Sequence, residues 1–152
     1  MDFIRSIMTP HPSSIQSSDN IQVAYDMIKR QKFRHLPVLD ASGKLVGILS
    51  DRDLQRVMKR EKVSLIEENY SFDSDEIVET VMSWPVKVIS ESTTIKTAAR
   101  LMLQDKLSAL VITDLNNKLM GIVTTDDFLR HIVHSEGSSD LPLLSTLPQL
   151  FT

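Results

Sequence analysis

Apolar residues recur at i, i+3, i+4 and i+7 in two stretches of the chain, Ile21, Ala24, Tyr25 and Ile28, and then Ile95, Ala98, Ala99 and Met102. That spacing lays four side chains along one face of a helix and predicts two helices buried on one side. Ahead of each stands a polar group that reads as a helix start, Ser17-Ser18-Asp19 and Ser92-Thr93-Thr94. A short apolar strand precedes each start, Ser14-Ile15 and Val86-Lys87-Val88-Ile89. Downstream of the first helix, Leu36-Pro37-Val38-Leu39 and Leu45-Val46-Gly47-Ile48-Leu49 flank Asp40-Ala41-Ser42-Gly43, which predicts a hairpin with Gly43 at positive φ. The second copy of this turn is Asp114-Leu115-Asn116-Asn117, and Asn is the next best residue for a left-handed backbone. A closing helix is expected from about Asp51 to Met58 and from about Thr125 to Val133.

These two series are copies of one another. Setting Met8 on Met82, an offset of 74 residues, also superposes Ile15 on Ile89, Ala24 on Ala98, Lys32 on Lys106, Asp40 on Asp114, Gly47 on Gly121 and Asp53 on Asp127. With no gap, 13 of the 46 positions from Met8 to Asp53 are identical and the turn and cap chemistry stays in register, which marks an internal repeat. The predicted fold class is therefore α/β (α+β), built from two β-α-β-β-α units of about 55 residues, each too small to bury both faces of its sheet alone. The expected organisation is repeat 1 over 1–58, a charged solvated linker over 59–75 with a short helical turn around Leu65, repeat 2 over 76–134, and an apolar, proline-containing tail over 135–152. That tail reads either as a loosely ordered end or as a strip that docks on a partner.

Composition narrows the function. Charged residues make up 24% of the chain with both signs interspersed, and the net charge is −3, so no nucleic-acid or acidic-membrane surface is expected. The chain has no Cys, which removes thiolate chemistry and Cys-based zinc sites. Neither a secretory leader pattern nor a run of about 18 apolar residues occurs, and a cytoplasmic protein without a membrane span is expected.

The strongest constellation is Gly47-Ile48-Leu49-Ser50-Asp51-Arg52-Asp53 and its copy Gly121-Ile122-Val123-Thr124-Thr125-Asp126-Asp127. Each places a hydroxyl and, three residues on, a carboxylate where a strand runs into a helix. Helix capping by itself accounts for this pattern, and the glycine by itself marks a bulge. A ligand-binding reading is the alternative. His131 and His134 have the spacing of a metal pair but no further ligand run, and they read as a solvated helix end; His11 is isolated. No catalytic or metal-ligating set stands out, so an enzyme is not expected.

The repeat order, Met8-Thr9-Pro10, the Arg34-His35-Leu36-Pro37-Val38 strand and the Gly-x-x-Ser/Thr-x-x-Asp endings together resemble the CBS domain in tandem, the arrangement called a Bateman module. The resemblance covers about residues 1 to 134. It implies two repeats packed sheet to sheet with pseudo-two-fold symmetry, pairs that form a homodimer, and clefts that hold an adenosine compound such as AMP, ADP, ATP or S-adenosylmethionine, with no obligatory cofactor. The chemistry of the residues fits such a site. Asp53 and Asp127 can accept from ribose hydroxyls, and Ser50 and Thr124 can bond sugar or phosphate. A helix N-terminus favours an anion. By resemblance the adenine lies against backbone around Pro12 to Ile15 or Val86 to Val88, and Arg34, His35 and Arg52 face phosphate. The second copy reads Ser108-Ala109 where the first has Arg34-His35, which predicts unequal clefts with the phosphate favoured in the first unless Arg34 or His35 reaches across. The expected function is a regulatory ligand sensor signalling through a homodimer to an unidentified effector. The alternative is a ligand-free dimerisation or interaction scaffold.

Overall fold

The computed structural model describes residues 2–135, so the expected tail lies, after its first residue, outside the described residues. In chain order the elements are β1 (Thr9–Pro10), β2 (Ile15–Gln16), α1 (Ile21–Gln31), β3 (His35–Leu39), β4 (Leu45–Ser50), α2 (Asp51–Val57), β5 (Lys59–Lys62) and β6 (Glu68–Ser71). The second half continues with α3 (Val78–Val81), β7 (Val88–Ile89), α4 (Ile95–Asp105), β8 (Ala109–Thr113), β9 (Leu119–Thr124) and α5 (Thr125–Ser135). The predicted β-α-β-β-α order holds in both copies, and the two repeats pack sheet to sheet.

Local chemistry explains most boundaries. The side chain of Asn20, one residue beyond the expected start group, accepts from the Gln22 amide at 2.8 Å and caps α1, while Asp19 accepts from the Gln16 amide instead. Thr94 caps α4 as expected. Both helices end on a lysine in the left-handed region, Lys32 at φ 58° and Lys106 at φ 54°. The hairpin turns also hold: Gly43 sits at φ 83° and Asn117 at φ 61°.

One sheet has the order β2-β3-β4 and the other β1-β9-β8-β7, so β1, from the first half of the chain, closes the sheet of the second. Thr9 pairs with Ile122 and Pro10 with Gly121; the mirror contact in the first sheet is the bridge of Ile48 to Ser83. The cores cross in the same way. Val78 and Val81 of α3 complete the core of Ile15, Ile21, Leu36, Val38 and Leu49, whereas Ile4, fully buried, completes that of Ile89, Ala98, Leu110, Ile112 and Val123. At the hairpin ends the repeats are tied directly: the Asn117 side-chain amide donates to the Leu45 carbonyl at 3.0 Å, and the Lys118 ammonium to the Ser42 carbonyl at 2.6 Å.

The expected helical turn around Leu65 is replaced by an antiparallel hairpin of β5 and β6, with Lys59 opposite Ser71 and Lys62 opposite Glu68. All eight strand residues are exposed, so neither face carries the alternation of apolar residues by which a strand announces itself. Side-chain contacts support it instead: Arg60 lies over the Tyr70 ring across the strands, Lys59 pairs with Asp73, and Phe72, just past β6, packs edge-on with Tyr25 of α1 at 5.3 Å between ring centroids.

Candidate functional site

Each Gly-x-x-Ser/Thr-x-x-Asp segment runs from the last inner strand into the closing helix, so its cap forms locally. Ser50 Oγ accepts from the Asp53 amide at 3.1 Å while Asp53 Oδ2 accepts from the Ser50 amide at 2.9 Å, a complete capping box. The second copy makes only half of it. Asp127 Oδ2 accepts from the Thr124 amide at 2.8 Å and from its hydroxyl at 3.3 Å. The glycines have a packing role as well as a bulge. A Cβ on Gly47 would run into the Met82 sulfur, and one on Gly121 would lie 2.6 Å from the Met8 sulfur and 3.0 Å from the Thr9 carbonyl. Each strand is thus glycine where the crossing segment of the other repeat lies against it.

Between the repeats opens a cavity of about 980 Å³. Its walls are the turn after β1 (His11, Pro12, Ser13), the α1–β3 connection (Lys32 to His35), the start of α2 (Ser50, Asp51, Arg52), the α4–β8 connection (Lys106 to Ser108) and the start of α5 (Thr124 to Asp127, with Arg130). Of the nine residues that the sequence suggested, Arg34, His35, Ser50, Arg52, Thr124 and Asp127 meet here. Asp53, Ile15 and Val88 do not. Asp53 is buried and occupied: one oxygen serves the Ser50 amide, and the other takes Arg56 and the Ser83 hydroxyl, the latter at 3.3 Å. Ile15 pairs with Val38 and turns into the core, and Val88 pairs with Val111 outside the cavity.

Arg34 and His35 stand in one cavity with Ser50, Asp51 and Arg52 of their own copy and with Thr124 and Asp127 of the other, while Asp53 is not part of its lining. The reason is the pseudo-two-fold, which brings the Arg34-His35 and Ser108-Ala109 segments face to face, with His35 Nε2 3.0 Å from Ser108 Oγ. Asp127 keeps one oxygen on Arg130 at 2.9 Å and lies at the cavity wall. Sequence reasoning missed Lys32, Lys106 and Arg130, and set His11 aside, while Pro12 and Ser13 fall in the stretch suggested for the adenine. The signal for the two lysines was present, since they are identical at the repeat offset where a helix ends without glycine.

Burial pushes the His35 pKa below its ordinary value; Asp51 opposes this, Arg34 adds to it and Asp53 opposes it. A histidine whose folded pKa is depressed binds protons more readily unfolded, so it subtracts stability as pH falls through the unfolded value near 6.5. Urea midpoints measured from pH 7.5 down to pH 5.5 are expected to fall less steeply in His35→Gln than in the parent chain. Equal slopes would show that His35 is not the group responsible.

Among the described residues no group of three His, Asp or Glu is placed to hold a metal, and His131 faces Asp2 at 3.8 Å. No described helix is long and apolar enough to cross a membrane. A profile of the CBS domain matches residues 4–60 and again 78–134. The homoserine O-acetyltransferase of Methanocorpusculum labreanum is 28% identical over 123 residues, 81% of this chain but 23% of that enzyme, so the chain spans about a quarter of that relative. The crystal structure of CBSX2 in complex with AMP superposes with a TM-score of 0.72 at 26% identity, covering 89% of this chain and 98% of that one. CBSX2 is the chloroplastic CBS domain-containing protein of Arabidopsis thaliana. A CBS domain pair in complex with 5′-methylthioadenosine and S-adenosyl-L-methionine shares the fold, with a TM-score of 0.70 at 23% identity over 86% of this chain and 98% of that one.

Proposed function

The chain belongs to the CBS-domain family, in which it carries two copies of the domain, and from this premise we propose that it is a regulatory module that binds an adenosine compound between its repeats. The observation that carries the proposal is the convergence, in one inter-repeat cavity, of Thr124 and Asp127 from one copy with Arg34 and His35 from the other. The likeness to a protein crystallised with AMP supports it. In this reading the Asp127 carboxylate accepts from the ribose hydroxyls, and the Thr124 hydroxyl bonds sugar or phosphate. Adenine lies along the backbone of His11, Pro12 and Ser13. Because the walls come from both repeats, a ligand favours the one relative arrangement of the repeats in which all of them can touch it, and that difference in affinity is the signal.

Purified protein is expected to give binding heat and a thermal shift with at least one of AMP, ADP, ATP and S-adenosylmethionine. Asp127→Ala is expected to weaken binding by at least about tenfold, the scale of one or two lost hydrogen bonds to a charged group. Asp53→Ala is expected to lower the melting temperature, with affinity at this cavity little changed. No heat and no shift with any of the four would end the proposal and leave the scaffold reading.

Signalling needs an outlet, and α5 offers one. Leu129, Ile132 and Val133 stand 56%, 56% and 67% exposed on one stripe, and no residue of α5 is fully buried. We assign that face to a homodimer in the cytoplasm, from which an effector reads the occupancy. Light scattering on the eluted protein is expected to give twice the chain mass, and Ile132→Asp to return it to the monomer.

A further inference from the structure

Four cationic side chains from four separate segments line the cavity: Lys32 at the end of α1, Arg34 before β3, Arg52 in α2 and Lys106 at the end of α4. Among the described residues, none of them lies within ion-pair distance of a carboxylate. The cavity's carboxylates offset only part of this charge. Asp127 is paired with Arg130, which leaves Asp51 and Asp126 against the four cations. Unpaired like charges around one hollow repel each other, and the arrangement is relieved when an anion enters. Lys32 and Lys106 are pseudo-equivalent and so approach from opposite sides of the two-fold. Cations on both sides of the two-fold suit a chain of phosphates, whose charge is spread over several positions, better than a single phosphate.

Resting on the adenosine reading above, we propose that the cavity is specific for an adenosine polyphosphate, a nucleoside with two or more phosphates in a chain, and that Lys32, Arg34, Arg52 and Lys106 set this specificity. Each further phosphate meets a cation otherwise left unpaired, and charge-assisted contacts of this kind are the strong ones. A sulfonium ligand such as S-adenosylmethionine brings positive charge to a surplus of positive charge and is rejected.

Titration calorimetry of the full chain with adenosine, AMP, ADP, ATP, S-adenosylmethionine and inorganic tripolyphosphate tests this. Affinity is expected to climb from adenosine to ATP by about tenfold at the steps that add the second and third phosphates together. S-adenosylmethionine is expected to bind no better than adenosine, and tripolyphosphate more weakly than ATP. The variant carrying both Lys32→Asn and Lys106→Asn keeps residues that tolerate the left-handed backbone. It is expected to lose that tenfold for ATP while its adenosine affinity and melting temperature stay near those of the parent. Equal affinities for AMP and ATP, tighter binding of S-adenosylmethionine, or an equal loss for adenosine and ATP in the variant would overturn the polyphosphate assignment while leaving an adenosine site. Tripolyphosphate binding as tightly as ATP would overturn the nucleoside part. Silence from the whole panel would remove both this inference and the reading beneath it.

Discussion

A chain ended just before Val78 is expected to have no cooperative unfolding transition, even though it contains the whole first copy of the repeat. Val78 and Val81 belong to the core of that copy, the former with no exposure at all, and they arrive from beyond the hairpin of β5 and β6. Without them Ile21, Leu36, Val38 and Leu49 lose one wall and open to water. The reciprocal contact predicts a large effect in the intact protein. Ile4 is fully buried in the second core, and Ile4→Ala is expected to cost about 2–5 kcal/mol, as does removal of a large aliphatic side chain from a packed interior. Urea unfolding of Ile4→Ala gives that number directly. Far-ultraviolet dichroism and amide spectra of the 1–75 fragment test the first statement, and a stable monomeric fragment would show that the repeats do not complete one another.

The second large effect concerns the two glycines. Alanine at Gly47 or Gly121 is expected to destabilise by about 1–3 kcal/mol, the range for overpacking. The two positions should differ in how they are rescued. At Gly47 the three atoms nearest the added methyl all belong to the Met82 side chain, so Met82→Ala in the same chain should recover most of the cost introduced by the methyl. At Gly121 the Thr9 carbonyl is also in the way at 3.0 Å, and because β1 is held there by its pairing to β9, Met8→Ala should recover less. A double-mutant cycle for each pair isolates this coupling from the loss of the methionine itself. Equal rescue at both sites would mean that backbone approach is not what requires glycine at 121.

Much of the molecule could be read along the chain. The helices over Ile21–Gln31 and Ile95–Asp105 declare themselves by spacing, the hairpins by the residues at 43 and 117, and the closing helices by the hydroxyl and acid at their starts. Six of the nine suggested site residues do gather in one cavity, because they sit where a strand ends and a helix begins or where a helix returns to the sheet, and those ends face the same way in both copies. The hairpin of Lys59–Lys62 and Glu68–Ser71 was not legible, since a strand with both faces in water has no periodic signature.

What the sequence alone determined was the unit and its duplication, for those rest on contacts among neighbours and on a period that 74-residue self-similarity exposes. What only the tertiary structure decided was which parts of the two copies meet. Asp53 and Asp127 occupy the same position of the same motif and each pairs with the arginine three residues on, yet Asp53 also takes the Ser83 hydroxyl in the interior whereas Asp127 lies at the cavity wall. Arg34 and His35 belong to the first copy by sequence, yet they line a cavity together with Thr124 and Asp127 of the second. The reason is that a cap or a turn forms among residues a few positions apart, whereas a site between repeats is made by packing across the pseudo-two-fold, where identical motifs acquire different neighbours.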